Sequence, residues 1–341
     1  MRILHIMASR TQGGAEIYSA DVIQALHEQG IDQCVVMPRD AARFAQLRAA
    51  GLRLAPDCLD FSLPLWQRFK IRRLAAKEKP DIIHCWMRRA ANLAPAFAGP
   101  VIGWVPSYQD PKKFPRLTHF VGLTQDAVTA LGQKGVAAEA IALIPTFPNL
   151  KDAPALSRKT LNTPEDAPLL LALSRLHPVK GIDVLLNALA ELPGCFLWLA
   201  GGGPEGARLK KLAADLKISE RVRFLGWRDD RAALLKAADI CVLPSNSESF
   251  GTVALEAWSL GTPFVATAAA GPASLITHGI NGMLSPVGDA KALAQNIQAL
   301  LDQPELRKKI IQGGRDACQK NFTRDAVTQK WLQLYEKLSA K

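Results

Sequence analysis

The chain has 341 residues, enough for two domains of ordinary size, and its 48% hydrophobic content with 24 Gly and 22 Pro reads as a soluble globular protein. Its longest uncharged stretch, 257–288, is broken by Gly261, Pro263, Gly271, Pro272, Gly279 and Gly282, which excludes a membrane-spanning helix. Six scattered cysteines (Cys34, Cys58, Cys85, Cys195, Cys241, Cys318) lack metal-ligand spacing, and the net charge of +11 is uneven: residues 61–90 hold eight Lys and Arg against Glu78 and Asp81. Reduced, buried thiols of a cytoplasmic protein are the expectation, and no cysteine-based zinc site is expected.

Short apolar runs alternate with longer amphipathic stretches from end to end, the pattern of parallel sheets with crossover helices. The opening run Met1-Arg-Ile-Leu-His-Ile-Met passes at once into polar residues, so it reads as a first strand and not as a signal peptide. Strands are expected over Ile3–Met7, Gln33–Met37, Ile82–His84, Val101–Val105 and Thr118–Leu123. After the first of them, Ala8-Ser-Arg-Thr-Gln-Gly-Gly-Ala-Glu16 leads into a helix that runs toward Gly30. Gly13 and Gly14 either bring the backbone close to a ligand at that helix start or make a plain turn; the spacing is not the dinucleotide G-x-G-x-x-G.

Leu65-Trp-Gln-Arg-Phe-Lys-Ile-Arg-Arg-Leu interleaves apolar and basic side chains at helical spacing. Two readings stand side by side. The helix rests on an anionic membrane surface with Trp66 and Phe69 at the headgroups, or it is an ordinary surface helix with its apolar side on its own sheet. Arg68, Arg72, Arg73, Arg88, Lys112 and Lys113 are the candidate acceptor or membrane contacts, and no nucleic-acid module accompanies them. His84 is either a cleft residue or a strand-end histidine with a structural hydrogen bond.

Residues 148–168 are rich in Pro, Asp, Thr and Asn without an apolar period and read as an interdomain linker. The pattern restarts with strands expected over Leu169–Ser174, Cys195–Ala200, Val222–Leu225, Ile240–Leu243 and Pro263–Ala266. The organisation expected is a first domain over 1–155, a second over 165–322, and a helix over 323–341 carrying Trp331, Leu334 and Leu338 on one side. In open α/β sheets, ligands bind outside the carboxyl ends of strands, so the strand-end loops are where chemistry is sought.

The strongest of those loops is Glu248-Ser-Phe-Gly-Thr-Val-Ala-Leu-Glu256. It follows the buried run Ile240-Cys-Val-Leu-Pro, with a helix expected to start at Phe250-Gly251 and stop at Gly261. The amides of Phe250, Gly251 and Thr252 then form a helix N-terminus, where an anion is favoured. Two hydroxyl-accepting carboxylates around such a site suit a ligand with a sugar, a diphosphate and a ribose. Glu248 as a plain helix-start acid and Glu256 as an exposed helix residue is the competing reading.

This stretch closely resembles the Glu-x7-Glu signature of retaining glycosyltransferases of family 4, which share the two-domain GT-B fold of Rossmann-like domains facing across a cleft. The resemblance implies that Glu248 approaches the donor sugar and Glu256 holds the ribose hydroxyls. Gly-Gly-Ala-Glu16 matches the family element lying against the donor phosphates, and Gly201-Gly-Gly-Pro-Glu205 matches its Gly-x-Gly-Pro-Glu, so Gly201 and Gly203 join the donor residues. Val222-Arg-Phe-Leu-Gly-Trp227 is similar to the stretch near the base. The terminal helix is implied to cross back to the first domain.

Cleaving a sugar from a nucleoside diphosphate leaves negative charge on the phosphate, which a divalent metal or aimed basic residues must offset. The chain contains no Asp-x-Asp. Arg175 and Lys180, in Ser174-Arg-Leu-His-Pro-Val-Lys-Gly181, therefore become the catalytic candidates beside Glu248, with no metal and no cofactor expected; they also match the family's Arg and Lys. Departures exist as well: Pro106 stands where members often have a His, Ile144-Pro-Thr-Phe replaces the Ile-Pro-Asn-Gly hinge, and Ser274 stands where many have a Glu.

The resemblance thus implies a retaining, metal-independent hexosyltransferase that takes a UDP- or GDP-sugar and glycosylates a saccharide or anionic glycolipid. Lipopolysaccharide core or another cell-envelope glycan, at the inner face of the cytoplasmic membrane, is the expected setting. A hydrolysing nucleotide-sugar 2-epimerase on the same fold and a non-catalytic nucleotide-sugar-binding scaffold are the rivals.

Overall fold

The computed structural model describes residues 1–10, 13–60, 63–104 and 110–340. Pro106 and the end of the fourth expected strand, Val105, lie outside them. The chain forms two compact units, Met1–Phe147 together with the C-terminal helix Arg324–Ser339, and Pro148–Thr323.

The first unit is built on β1 (Arg2–Met7), β2 (Asp32–Val36), β3 (Arg53–Leu54), β4 (Ile82–Trp86), β5 (Val101–Trp104), β6 (His119–Gly122) and β7 (Ile141–Leu143). Its helices are α1 (Gly14–Glu28), α2 (Phe44–Ala49), α3 (Pro64–Glu78), α4 (Met87–Leu93) and α5 (Gln125–Gln133). All pairings are parallel in the order β3-β2-β1-β4-β5-β6-β7. β1 and β4 are buried on both faces, as a helix-covered parallel sheet requires, which is why they read as continuous apolar runs. The short edge strands β3 and β7, with half-exposed residues, carry no such run and are not expected from the sequence.

The second unit has β8 (Leu169–Leu173), β9 (Phe196–Ala200), β10 (Val222–Gly226), β11 (Ile240–Leu243), β12 (Phe264–Thr267) and β13 (Met283–Ser285), parallel in the order β10-β9-β8-β11-β12-β13. Helices α6 (Ile182–Ala190), α7 (Gly206–Asp215), α8 (Arg231–Ala237), α9 (Thr252–Leu260), α10 (Ala270–Leu275), α11 (Ala290–Asp302) and α12 (Pro304–Asn321) pack around it. Each sheet therefore has the doubly wound order in which the chain reverses direction beside its first strand, at β1/β4 and at β8/β11. These are the two Rossmann-like domains that the resemblance implies.

Three expectations change. Residues 148–168, expected as the linker, are tied to the second unit: Arg158 donates to the carbonyls of Ala237 (2.7 and 3.0 Å) and Ala167 (2.8 Å) and pairs with Asp239 (3.0 Å), and the Trp198 indole donates to Thr163 Oγ1 at 2.9 Å. One guanidinium satisfies several strand- and helix-end acceptors, a role no periodicity can reveal. The C-terminal helix buries Val327, Trp331, Tyr335 and Leu338, with Tyr335 in place of the expected Leu334. In α3 the buried stripe is Gln67, Ile71 and Ala75, whereas Leu65 is 76%, Trp66 56% and Phe69 49% exposed. The surface-helix reading holds for Ile71 and Ala75, which join the core, but not for Leu65, Trp66 and Phe69.

All six cysteines are free and buried, and burial pushes the Cys34, Cys58 and Cys318 thiols up to about 11. They are packing residues. No helix among the described residues is long and apolar enough to cross a membrane.

Candidate active site

In the second unit the loops that follow β8, β9 and β11, together with α9, carry the expected donor residues of that unit. The β8 loop turns through a short 3-10 segment, Pro178–Lys180, into Gly181. The β11 loop folds onto it: the amides of Asn246 and Ser247 donate to the Val179 carbonyl at 2.9 and 3.2 Å, and Asn246 Nδ2 donates to Pro178 O at 3.1 Å. Gly181 makes this approach possible, because it sits at φ +59° and a Cβ there would lie 2.1 Å from the Pro244 carbonyl oxygen.

Those contacts bring Lys180 and Glu248 together across 68 residues of chain, Nζ to Oε2 at 2.5 Å, with both side chains largely shielded. The pair sits at the β8/β11 reversal, where an open sheet of this type binds its ligand. Arg175, two positions beyond β8, is exposed. Its loop is gripped by the β9 loop: Leu176 N donates to Gly202 O (2.9 Å) and Glu205 N to Leu176 O (3.1 Å). Side chains at Gly201 or Gly203 would collide with the Ser174 or Leu176 carbonyls, at 1.9 and 2.3 Å. Both glycines, expected at the donor, thus act first by letting the β9 loop clamp the Arg175 loop.

α9 begins at Thr252 behind Gly251, which has φ +91°, and ends at Gly261. Phe250 is buried, its ring 6.3 Å from that of Phe322. Gly271 packs on the Phe250 backbone, where a Cβ would lie 2.4 Å from its nitrogen, and donates its own amide to Glu248 O at 2.8 Å. Ser274 returns its hydroxyl to Gly271 O (2.7 Å), a contact within its own helix. Glu256 is not an exposed helix residue: its side chain is 6% exposed and its Oε1 pairs with Arg231, the first residue of α8. Arg231 is absent from the sequence-derived set, since nothing local in Asp229-Asp-Arg231 signals a partner in the next helix. Trp227, at the end of β10, is 51% exposed.

In the first unit Gly13 caps α1, and the Glu16 carboxylate lies over it, accepting from Ser9 Oγ at 2.6 Å. Ser9 and Glu16, with Met7, Met37, Arg43 and Met87, line a small recess at the carboxyl ends of β1, β2 and β4. Met87 takes a left-handed φ of +66° as β4 turns into α4. Arg72, Arg73, Arg88, Lys112 and Lys113 are exposed, whereas Arg68 is spent on the Asn92 carbonyl, at 2.6 and 2.9 Å.

His84 reaches no ligand surface. It is fully buried, its ring 4.0 Å from that of Trp86, and its Nδ1 lies 2.7 Å from the Tyr335 hydroxyl. Burial holds it well below the usual histidine range, so it is neutral. The structural-hydrogen-bond reading holds.

Residues 12–151 match the Glycosyltransferase Family 4 model and 155–317 the Glycosyl transferases group 1 model. The chain is 35% identical to the lipopolysaccharide core biosynthesis glycosyltransferase LpsE of Rhizobium meliloti (strain 1021), covering 98% of each. It is 30% identical to LpsD of the same organism, covering all of both. Among solved structures, HepE of Anabaena in complex with UDP and glucose matches with a TM-score of 0.84 at 23% identity, over 99% of this chain and 100% of that one. The chain belongs to the family 4 glycosyltransferases.

Proposed function

We propose that this glycosyltransferase is a retaining, metal-independent hexosyltransferase using a UDP-sugar, acting on a saccharide or anionic glycolipid of the lipopolysaccharide core. The observation that carries it is the Lys180–Glu248 pair held at the β8/β11 reversal beside the start of α9. The names of LpsE and LpsD, similar over the whole chain, support the core setting, and the HepE complex supports UDP over GDP.

In this reading Lys180 and Arg175, with the α9 N-terminus, offset charge on the departing diphosphate. Glu248 positions the sugar and Glu256 the ribose. The bond from anomeric carbon to phosphate oxygen breaks, and the acceptor oxygen bonds to the same face of that carbon. The acceptor's proton passes to the leaving phosphate. Lys180→Ala is expected to lower kcat by about 10²–10³ with an unchanged melting temperature, measured as transfer in EDTA and in magnesium. A near wild-type rate would remove Lys180 from the mechanism, and transfer abolished by EDTA would remove metal independence.

The acceptor half belongs to the first unit. Leu65, Trp66 and Phe69 protrude from α3 among Arg72, Arg73 and Lys77, with Arg73 over the Phe69 ring at 5.9 Å, so the helix offers apolar and cationic groups together. That combination suits the anionic inner face of the cytoplasmic membrane, each basic residue contributing about 1 kcal/mol near the surface. Trp66→Ser with Phe69→Ser is expected to abolish sedimentation with phosphatidylglycerol vesicles while leaving the fold intact. Equal binding to neutral vesicles would defeat the electrostatic part of this reading.

A further inference from the structure

Glu256 is the most deeply buried carboxylate of the donor half, and the structure supplies its counter-ion from a different element. Arg231 opens α8 and reaches across to Glu256 Oε1 on α9. The adjacent acid is not its partner: Asp230 is occupied by Arg228, Nε to Oδ1 at 2.8 Å and Nη2 to Oδ2 at 2.5 Å. On the sheet side Glu256 meets Cys241, a thiol whose proton release burial and the nearby carboxylate both oppose. Burial of a carboxylate disfavours its charged form, and a guanidinium beside it offsets that cost.

We propose that Arg231 is the positioning residue of Glu256: it keeps the carboxylate ionised and fixes its orientation, so that both hydroxyls of the donor ribose can donate to it. A carboxylate offers about four lone-pair sites, so a guanidinium and hydroxyl donors can share it. The inference rests on the reading of Glu256 as the ribose ligand. A buried ion pair by itself is weak evidence for stability, since apolar residues of similar volume do as well. The pair therefore points to a requirement for charge at this position.

The test is calorimetric titration of the full-length chain with UDP and with its 2′,3′-dideoxy analogue, replaced by the GDP pair should UDP not bind wild type. Wild type, Arg231→Met, Arg231→Lys, Glu256→Gln and the Met/Gln double variant are compared, each first checked for an intact melting transition. Arg231→Met is expected to raise Kd for the ribose nucleotide about tenfold, roughly 1.4 kcal/mol, and Arg231→Lys to recover most of it. Neither should change Kd for the dideoxy analogue, and the double variant should bind no worse than the weaker single one. Equal weakening of both nucleotides, or losses that add in the double variant, would overturn the proposal. So would wild-type binding by Arg231→Met when Glu256→Gln is impaired, with the ribose reading left standing. If Glu256→Gln itself binds normally, the ribose reading falls and this inference falls with it.

Discussion

The two sheets share one strand order yet use their chain reversals in opposite ways. At β8/β11 the paired residues are apolar, Ile240 opposite Leu170 and Cys241 opposite Leu171, and the charged groups all lie in the loops beyond. At β1/β4 polar rings are inside the seam: His5 pairs in register with His84, and Met7 with Trp86. His5 Nε2 lies 2.7 Å from Gln33 Oε1, while the Trp86 indole donates to His5 Nδ1 at 3.1 Å, so His5 is the Nε2–H tautomer. Tyr335 of the C-terminal helix closes onto His84, and the Trp331 indole donates to the Tyr18 hydroxyl, which itself donates to Pro145 O. One seam is an inert wall that presents chemistry outside itself. The other is a polar, aromatic joint whose chemistry is consumed in holding the C-terminal helix.

This contrast is broken most severely by Trp331→Ala. Emptying that fully buried site should cost about 3–5 kcal/mol, seen as a lower denaturation midpoint of the first unit, while calorimetric nucleotide binding by the folded protein stays unchanged. Loss of nucleotide affinity at temperatures where the protein is folded would show that the joint also serves the donor loops. Gly181→Ala probes the other side. Its strained φ and the clash with Pro244 O should cost about 1–3 kcal/mol and separate Lys180 from Glu248, so kcat should fall although no charged group is lost.

The third effect is one of pH. Burial lowers His5 to about 3, and His84 also lies well below its usual value, so both bind a proton more readily in the unfolded chain. Their neutral forms support the fold fully above about pH 6.5. That support is lost as pH falls from there, by up to about 1.4 kcal/mol per pH unit for each ring. Unfolding at pH 5.5 should accordingly take up about two protons from these residues, measurable by calorimetry in buffers of different ionisation enthalpy. Uptake near zero would mean that the seam histidines are solvated.

The same contrast explains what could be read in advance. Ten of the strands were expected, nine of them because strands buried on both faces must be apolar and short; the part-exposed β10 is the tenth, and the missed β3, β7 and β13 have only two or three residues each. The Glu248 loop was legible because its whole argument, strand end, polar turn, glycine and helix start, is contained in about twenty consecutive residues.

What the sequence determined alone is therefore the α/β alternation and the inventory of the donor loops, since local hydrogen-bonding and burial needs dictate both. Only the tertiary structure decided which stripe of α3 is covered, because Ile71 and Leu65 are equally apolar and the neighbouring elements choose between them. It also decided that Arg158 straps the expected linker down, that His84 meets Tyr335 across 251 residues, and that Glu256 answers to Arg231. Such partners are selected by strand order and loop closure. Those bring residues together at distances along the chain to which no local periodicity is sensitive.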